Sequence, residues 1–304
     1  MQKVAIALFF AGAALACGSK KGGSGFDTAS SSGGASSGGS SGASGGGPTF
    51  GDGGTPQTGG ADCTEENKQI YAVSQEGSLY RYAPATNTIT PIGPINCHGK
   101  AKPFSMAVDR KGIGWVLFDD DNVYLVNTTN AACQPSPYKP NGSPFTRFGM
   151  AFMSDSAGST SETLYVADYD GTGIAKIDTS TGVMSRIGDY DGFASSAELT
   201  GTGDARLYGF FLPKDPITYP RIVKLDNTNA KMVDSHDLAG TDIGSGWAFA
   251  FWGGDFWLFT APNGSSEIDQ YQWSAGATNT VKQDLGYVIV GAGVSTCAPT
   301  APPK

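Results

Sequence analysis

The chain has 304 residues, with 28 acidic against 20 basic side chains, a formal net charge of −8, and 44 glycines. Acidity of this size argues against a nucleic-acid partner, because that binding rests on neutralising phosphates with Lys and Arg. Two histidines, His98 and His236, and no C-x-x-C spacing leave poor material for a zinc centre or a His-based triad.

The first element in chain order is residues 1–16. Lys3 opens an apolar run from Val4 to Ala16, and Leu15-Ala16 precede Cys17. The run is too short to span a bilayer, which needs about 20 residues. It reads as the apolar region of a secretory signal. The Leu15-Ala16-Cys17 junction resembles that of a bacterial lipoprotein, although Ala14 stands where Leu or Val is commoner. The resemblance implies export, cleavage before Cys17 and acylation of its sulfur. Gly18 in the next position favours the outer membrane. Residues 17–62 form the second element: the lipidated cysteine and a Gly/Ser-rich tether with too few apolar groups to offset its ordering entropy. Such a chain reaches about 35–40 Å on average.

Residues 63–298 carry the folded domain, and 299–304 a short tail. The domain repeats with a period of about 40 residues. Each copy is a small-residue strand, an apolar or aromatic strand, a strand ending in Asp or Asn, a Thr/Asn-rich turn and a last strand. One copy runs Phe148–Phe152, Thr163–Asp168, Ile174–Asp178 and Val183–Gly188; others begin at Phe104–Asp109 and Trp247–Trp252, and a further one contains Arg206–Phe211 and Arg221–Asp226. The strands are short, β-branched or aromatic, and bounded by Gly, Asn, Asp and Pro. The pattern predicts an all-β, single β-propeller of five four-stranded blades. The first copy lacks its innermost strand, since Gln69–Ser74 is already a second strand, and Tyr287–Ser295 is a spare strand at the other end. Placing the spare strand innermost in blade one closes the ring and leaves only short protected edges. That closure brings Cys63 beside Cys297, and Cys97 pairs with Cys133 by exclusion.

Several stretches resemble a family of predicted secreted, lipoprotein-like proteins of myxobacteria. They are Phe104–Arg110, Ser154–Tyr165, Ala197–Tyr208, Trp247–Phe256 and Val290–Pro299. The resemblance spans the folded domain; it implies the fold and the exported address and adds no chemistry.

Loops joining second and third strands share a face with the loops between blades. There the sequence puts Asp119-Asp120-Asp121, Asp168-Tyr169-Asp170-Gly171 and Asp189-Tyr190-Asp191-Gly192. Carboxylates two apart followed by Gly can wrap a hard cation, so Asp119, Asp121, Asp168 and Asp170 are candidate Ca²⁺ ligands; Asp and Gly are also ordinary turn formers. Glu198 is an acid in an inner strand of small and apolar residues, a candidate channel ligand. The aromatics Trp247, Phe249, Phe251, Trp252, Phe256, Trp257 and Phe259 alternate as blade-packing residues would, and would stack on sugar rings only if exposed. The resulting expectation is an exported, lipid-anchored protein of the cell envelope presenting a non-catalytic propeller to a protein or glycan partner. The alternative is a metal-assisted hydrolase or lyase using channel carboxylates. The lack of a nucleophile–base pair weighs against an enzyme.

Overall fold

The computed structural model describes residues 62–96, 99–193 and 195–303. Blade one begins with β1 (Ile70–Ser74), β2 (Ser78–Ala83) and β3 (Thr88–Pro94). Blade two is β4 (Pro103–Val108), β5 (Ile113–Phe118), β6 (Val123–Asn127) and β7 (Cys133–Pro135). Blade three is β8 (Phe148–Ser154), β9 (Glu162–Asp168), β10 (Gly173–Ile177) and β11 (Met184–Asp189). Blade four is β12 (Ala197–Gly201), β13 (Leu207–Phe211), β14 (Arg221–Leu225) and β15 (Met232–Asp237). Blade five is β16 (Trp247–Trp252), β17 (Asp255–Thr260), β18 (Glu267–Gln272) and β19 (Ala277–Lys282). The last strand, β20 (Ile289–Val294), pairs antiparallel with β1, setting Ile70 opposite Val294 and Ala72 opposite Ala292. The five sheets each have four strands, and the molecule is a five-bladed β-propeller closed by its C-terminal strand.

The sequence shows why each strand lies where it does. The inner strands β20, β4, β8, β12 and β16 pack side by side around the axis. Their backbones approach so closely that only glycine fits at some positions. A Cβ on Gly149 would lie 2.2 Å from the Ala197 carbonyl oxygen, and one on Gly291 would lie 2.9 Å from the Met106 nitrogen. The outermost strands β3, β15 and β19 are largely solvated and carry polar residues. Turns into the outermost strands use Asn or Asp at the strand end to accept a backbone N–H two residues on. Asn127 does so from Thr129 at 2.8 Å, Asp178 from Ser180 at 2.9 Å and Asp226 from Thr228 at 2.8 Å.

The core is divided among the clefts between neighbouring blades. Trp115, Leu117 and Leu125 of blade two meet Phe148, Phe152 and Leu164 of blade three. Phe249, Phe251 and Phe256 of blade five meet Tyr208 and Phe210 of blade four. Residues brought by the chain ends fill the seam between blades five and one, where Ile70, Ala72 and Tyr82 pack on Trp257, Phe259, Ala292 and Val294.

Candidate functional site

Because strands alternate in direction, the loops between blades and the turns joining second and third strands lie at one end of the channel. There they form a cup of about 270 Å³. Gln75 comes from the β1–β2 turn and Asp119 from the β5–β6 turn. Lys102 and Phe104 come from the start of β4, Tyr169 from the β9–β10 turn, Ser245 and Trp247 from the start of β16, and Val290 from β20. Blade four joins through Ser196, whose hydroxyl donates to the Tyr169 carbonyl. Three aromatic rings form the apolar part, all half-buried. Phe104 and Tyr169 meet edge-on, with centroids 5.2 Å apart and planes at 77°. Tyr169 and Trp247 lie 6.4 Å apart at 35°.

The backbone holds these groups in place. The amide of Asp119 donates to the Lys102 carbonyl at 2.9 Å, and the amide of Lys102 donates back to the Asp119 carboxylate at 2.9 Å. The amide of Tyr169 donates to the Arg147 carbonyl at 3.0 Å, and that of Ser245 to the Ala261 carbonyl at 3.0 Å. Trp247 donates its indole N–H to the Phe210 carbonyl at 3.4 Å. The Arg147 guanidinium stands 5.8 Å from the Phe104 ring centre and 3.7 Å from the Asp121 carboxylate. A hollow that combines an apolar, partly aromatic wall with a few fixed polar groups has the form of a small-ligand site.

The channel is closed beneath the cup. Ser105 follows Phe104 in β4, and its hydroxyl donates to Oε2 of Glu198 in β12 at 2.7 Å. These strands belong to blades two and four, so the bond crosses the axis. Ser105 is fully buried and Glu198 is 3 % exposed. Burial pushes the Glu198 carboxyl well above the usual carboxylate range, and the Ser105 hydrogen bond offsets part of that rise. The structure therefore places Glu198 as a buried group bonded to a neighbouring hydroxyl, below the cup rather than in it.

At the opposite end the residues flanking β1 and β20 meet. Cys63, before β1, is disulfide-bonded to Cys297, after β20. Cys133 is also a disulfide cysteine. Its expected partner Cys97 lies outside the described residues, as do His98, Cys17 and the segment before Asp62. Arg110 lies against the Cys63–Cys297 bridge. Its guanidinium donates to Thr296 Oγ1 at 2.9 Å and to Cys63 Sγ at 3.1 Å. Its amide donates to Glu162 Oε1 at 2.8 Å, while Thr296 donates to Glu162 Oε2 at 2.7 Å. Burial raises the Glu162 carboxyl to about 7 against these hydrogen bonds. Burial likewise raises Asp109 to about 6, opposed by the amides of Ile113 and Lys111.

The four aspartates of the Ca²⁺ expectation lie at two turns, Asp119 and Asp121 between β5 and β6 and Asp168 and Asp170 where β9 passes to β10. Asp119 is tied to the Lys102 amide and Asp121 to Arg147. Asp168 accepts from the amides of Asp170 and Thr172, each at 3.3 Å. Among the described residues no three His, Cys, Asp or Glu side chains gather as a metal site requires. His236 is remote from the cup, stacked on Trp273 at 3.7 Å and bonded through Nδ1 to the Tyr271 hydroxyl at 2.7 Å. Of the seven aromatics from Trp247 to Phe259, six are buried and Trp247 is half-buried. The cup residues Gln75, Lys102, Phe104, Tyr169 and Ser245 were not among the expected site residues. The available signal was a ring placed where turn chemistry favours a polar side chain, as at Tyr169 within Asp168-Tyr169-Asp170-Gly171.

No protein-family model matches the chain, and no curated protein does. Solved structures do. A hydrazine synthase of Kuenenia stuttgartiensis is similar at 13% identity over 73% of this chain and 68% of that one, with a TM-score of 0.39. A chain from a nidogen/laminin complex is similar at 13% identity over 79% and 83%, with a TM-score of 0.48. The PQQ-bound aldose sugar dehydrogenase of Streptomyces coelicolor is similar at 12% identity over 77% and 82%, with a TM-score of 0.43. At these identities the likeness is one of fold.

Proposed function

We propose that this chain is an exported, lipid-anchored binding protein of the cell envelope. Cys17 holds it at the membrane, the segment up to residue 62 gives it reach, and the propeller presents its cup to a glycan partner without catalysing a reaction on it. One observation carries this reading: three half-buried rings, Phe104, Tyr169 and Trp247, converge at the channel mouth among fixed polar groups. Exposed aromatic surface is unfavourable in water unless something covers it in use. The closed floor beneath Phe104 supports binding over turnover, because the one inner-strand carboxylate near it, Glu198, is bonded to Ser105 and shielded from solvent.

The test has two parts. Metabolic labelling with a fatty-acid analogue is expected to tag the protein and to fail in Cys17→Ser; labelling that survives the substitution removes the anchor from the account. Purified envelope glycan is expected to retain the wild-type protein on a column and to lose it when Tyr169 and Trp247 are both changed to Ala. Equal retention of the two proteins would refute the cup as the binding site.

A further inference from the structure

We infer that the cup recognises the terminal residue of a neutral glycan, read end-on. This rests on the binding role proposed above and specifies its ligand. Charge is the first ground. The Arg147 guanidinium already stands over Phe104, and Lys102 lines the cup, so an organic cation would meet two like charges. Asp119 lines the same cup and Asp121 lies beside Arg147, so an anionic sugar would meet two carboxylates. A neutral polyol meets neither penalty. Lys102 and Gln75 can donate to its hydroxyls, and Asp119, Gln75 and Ser245 can accept from them.

The second ground is the apolar surface. A pyranose ring presents C–H bonds on its faces and hydroxyls at its edge. Phe104, Tyr169 and Trp247 give the faces a platform, while the polar groups come from the surrounding turns. Size and closure are the third. The cup, of about 270 Å³, has room for a single sugar residue rather than several. The Ser105–Glu198 bond across the axis stops a chain from threading the channel. A guest therefore enters from one side, by its end.

The experiment is calorimetric titration of the full chain carrying Cys17→Ser, so that no acyl group is attached. The probes are glucose, galactose, mannose and N-acetylglucosamine, the β-linked tetrasaccharides of glucose and N-acetylglucosamine, and tetramethylammonium and glucuronate as charged controls. At least one neutral monosaccharide is expected to bind with a Kd on the order of 1 mM, as befits a small ligand. A tetrasaccharide ending in it should bind within about threefold of it, and both controls about tenfold or more weaker. Tyr169→Ala and Trp247→Ala should each weaken binding about tenfold, whereas Trp247→Phe keeps a ring in place and should stay within about threefold. A melting curve confirms that each variant is folded.

Affinity that climbs tenfold or more with chain length would overturn end-on reading. Trp247-dependent binding of tetramethylammonium, with no neutral sugar bound, would overturn the sugar and leave the cup standing as a site. If no neutral sugar binds yet envelope glycan still retains the protein through Tyr169 and Trp247, the neutral terminal residue is wrong and the cup is right. If that retention is also absent, both fall.

Discussion

The two ends of the channel are built from the same repeating blades and differ in what covers them. At one end the first and last strands of the propeller are joined. Cys63 and Cys297 are bonded, and Arg110, Glu162 and Thr296 fill the space around the bridge with reciprocal hydrogen bonds. At the other end, among the described residues, the loops leave a hollow walled by Phe104, Tyr169 and Trp247. The contrast separates two tasks. Ring closure falls to one end, where Arg110, Glu162 and Thr296 bond to one another around the bridge, and the proposed binding falls to the other.

The largest expected effect breaks the closed end alone. Changing Cys63 and Cys297 to Ala releases a bridge between positions 234 residues apart, worth about 5 kcal/mol on the chain-entropy account. The melting temperature should fall by about 10–20 °C, while ligand binding well below the melt is unchanged. A drop of similar size in both stability and binding would show that the ends are not separable.

The next effect uses pH. Glu162 and Asp109 hold their protons to about 7 and about 6 in the folded state, and Glu198 is displaced in the same direction. The folded protein therefore binds more protons than the unfolded chain over that range. The stability these groups lend is full below about pH 4 and is lost as pH rises towards 7. Asp178, lowered to about 2 by hydrogen bonds from Ser180 and Thr181, acts in the opposite sense, as do Asp204 and Asp226, both also lowered. Their stabilisation is lost as pH falls below about 4. Stability should thus peak near pH 4–5. Glu162→Gln should flatten the decline above the peak by up to about 3 kcal/mol. An unchanged slope in urea melts of this variant would show that Glu162 does not hold its proton as described.

At the open end the expected stability effects are smaller. Tyr169→Ala removes a half-buried ring and should cost about 1 kcal/mol or less in thermal unfolding, while binding weakens about tenfold. Smallest of all is the response to Ca²⁺. With Asp119 and Asp121 in one loop and Asp168 and Asp170 in another, millimolar CaCl₂ should move the melting temperature no more than NaCl of equal ionic strength. A Ca²⁺-specific rise of several degrees would restore those carboxylates as ligands.

The closed end was legible in the sequence and the open end was not, for a physical reason. Closure leaves a local signature: a first blade that starts on its second strand, a spare strand Tyr287–Ser295, and a cysteine flanking each. The cup is assembled from positions as distant as Gln75, Tyr169 and Trp247, which only the finished ring brings together. Trp247 also shares the alternation of Phe249 and Phe251, and what separates it from them is its place at the mouth end of β16. Glu198 stood out as an acid among small residues, yet its partner Ser105 lies two blades away. The Asp-x-Asp loops marked turns correctly, because turn chemistry is local, while convergence on an ion depends on spacing between blades.

Oxidative footprinting of the folded protein, with and without the neutral sugar that binds most tightly, tests the separation of the two ends most directly. The expected result is protection of Phe104, Tyr169 and Trp247, with Tyr71, Tyr82 and the residues around the Cys63–Cys297 bridge unchanged. Protection centred on the bridge, or spread evenly over both ends, would contradict it.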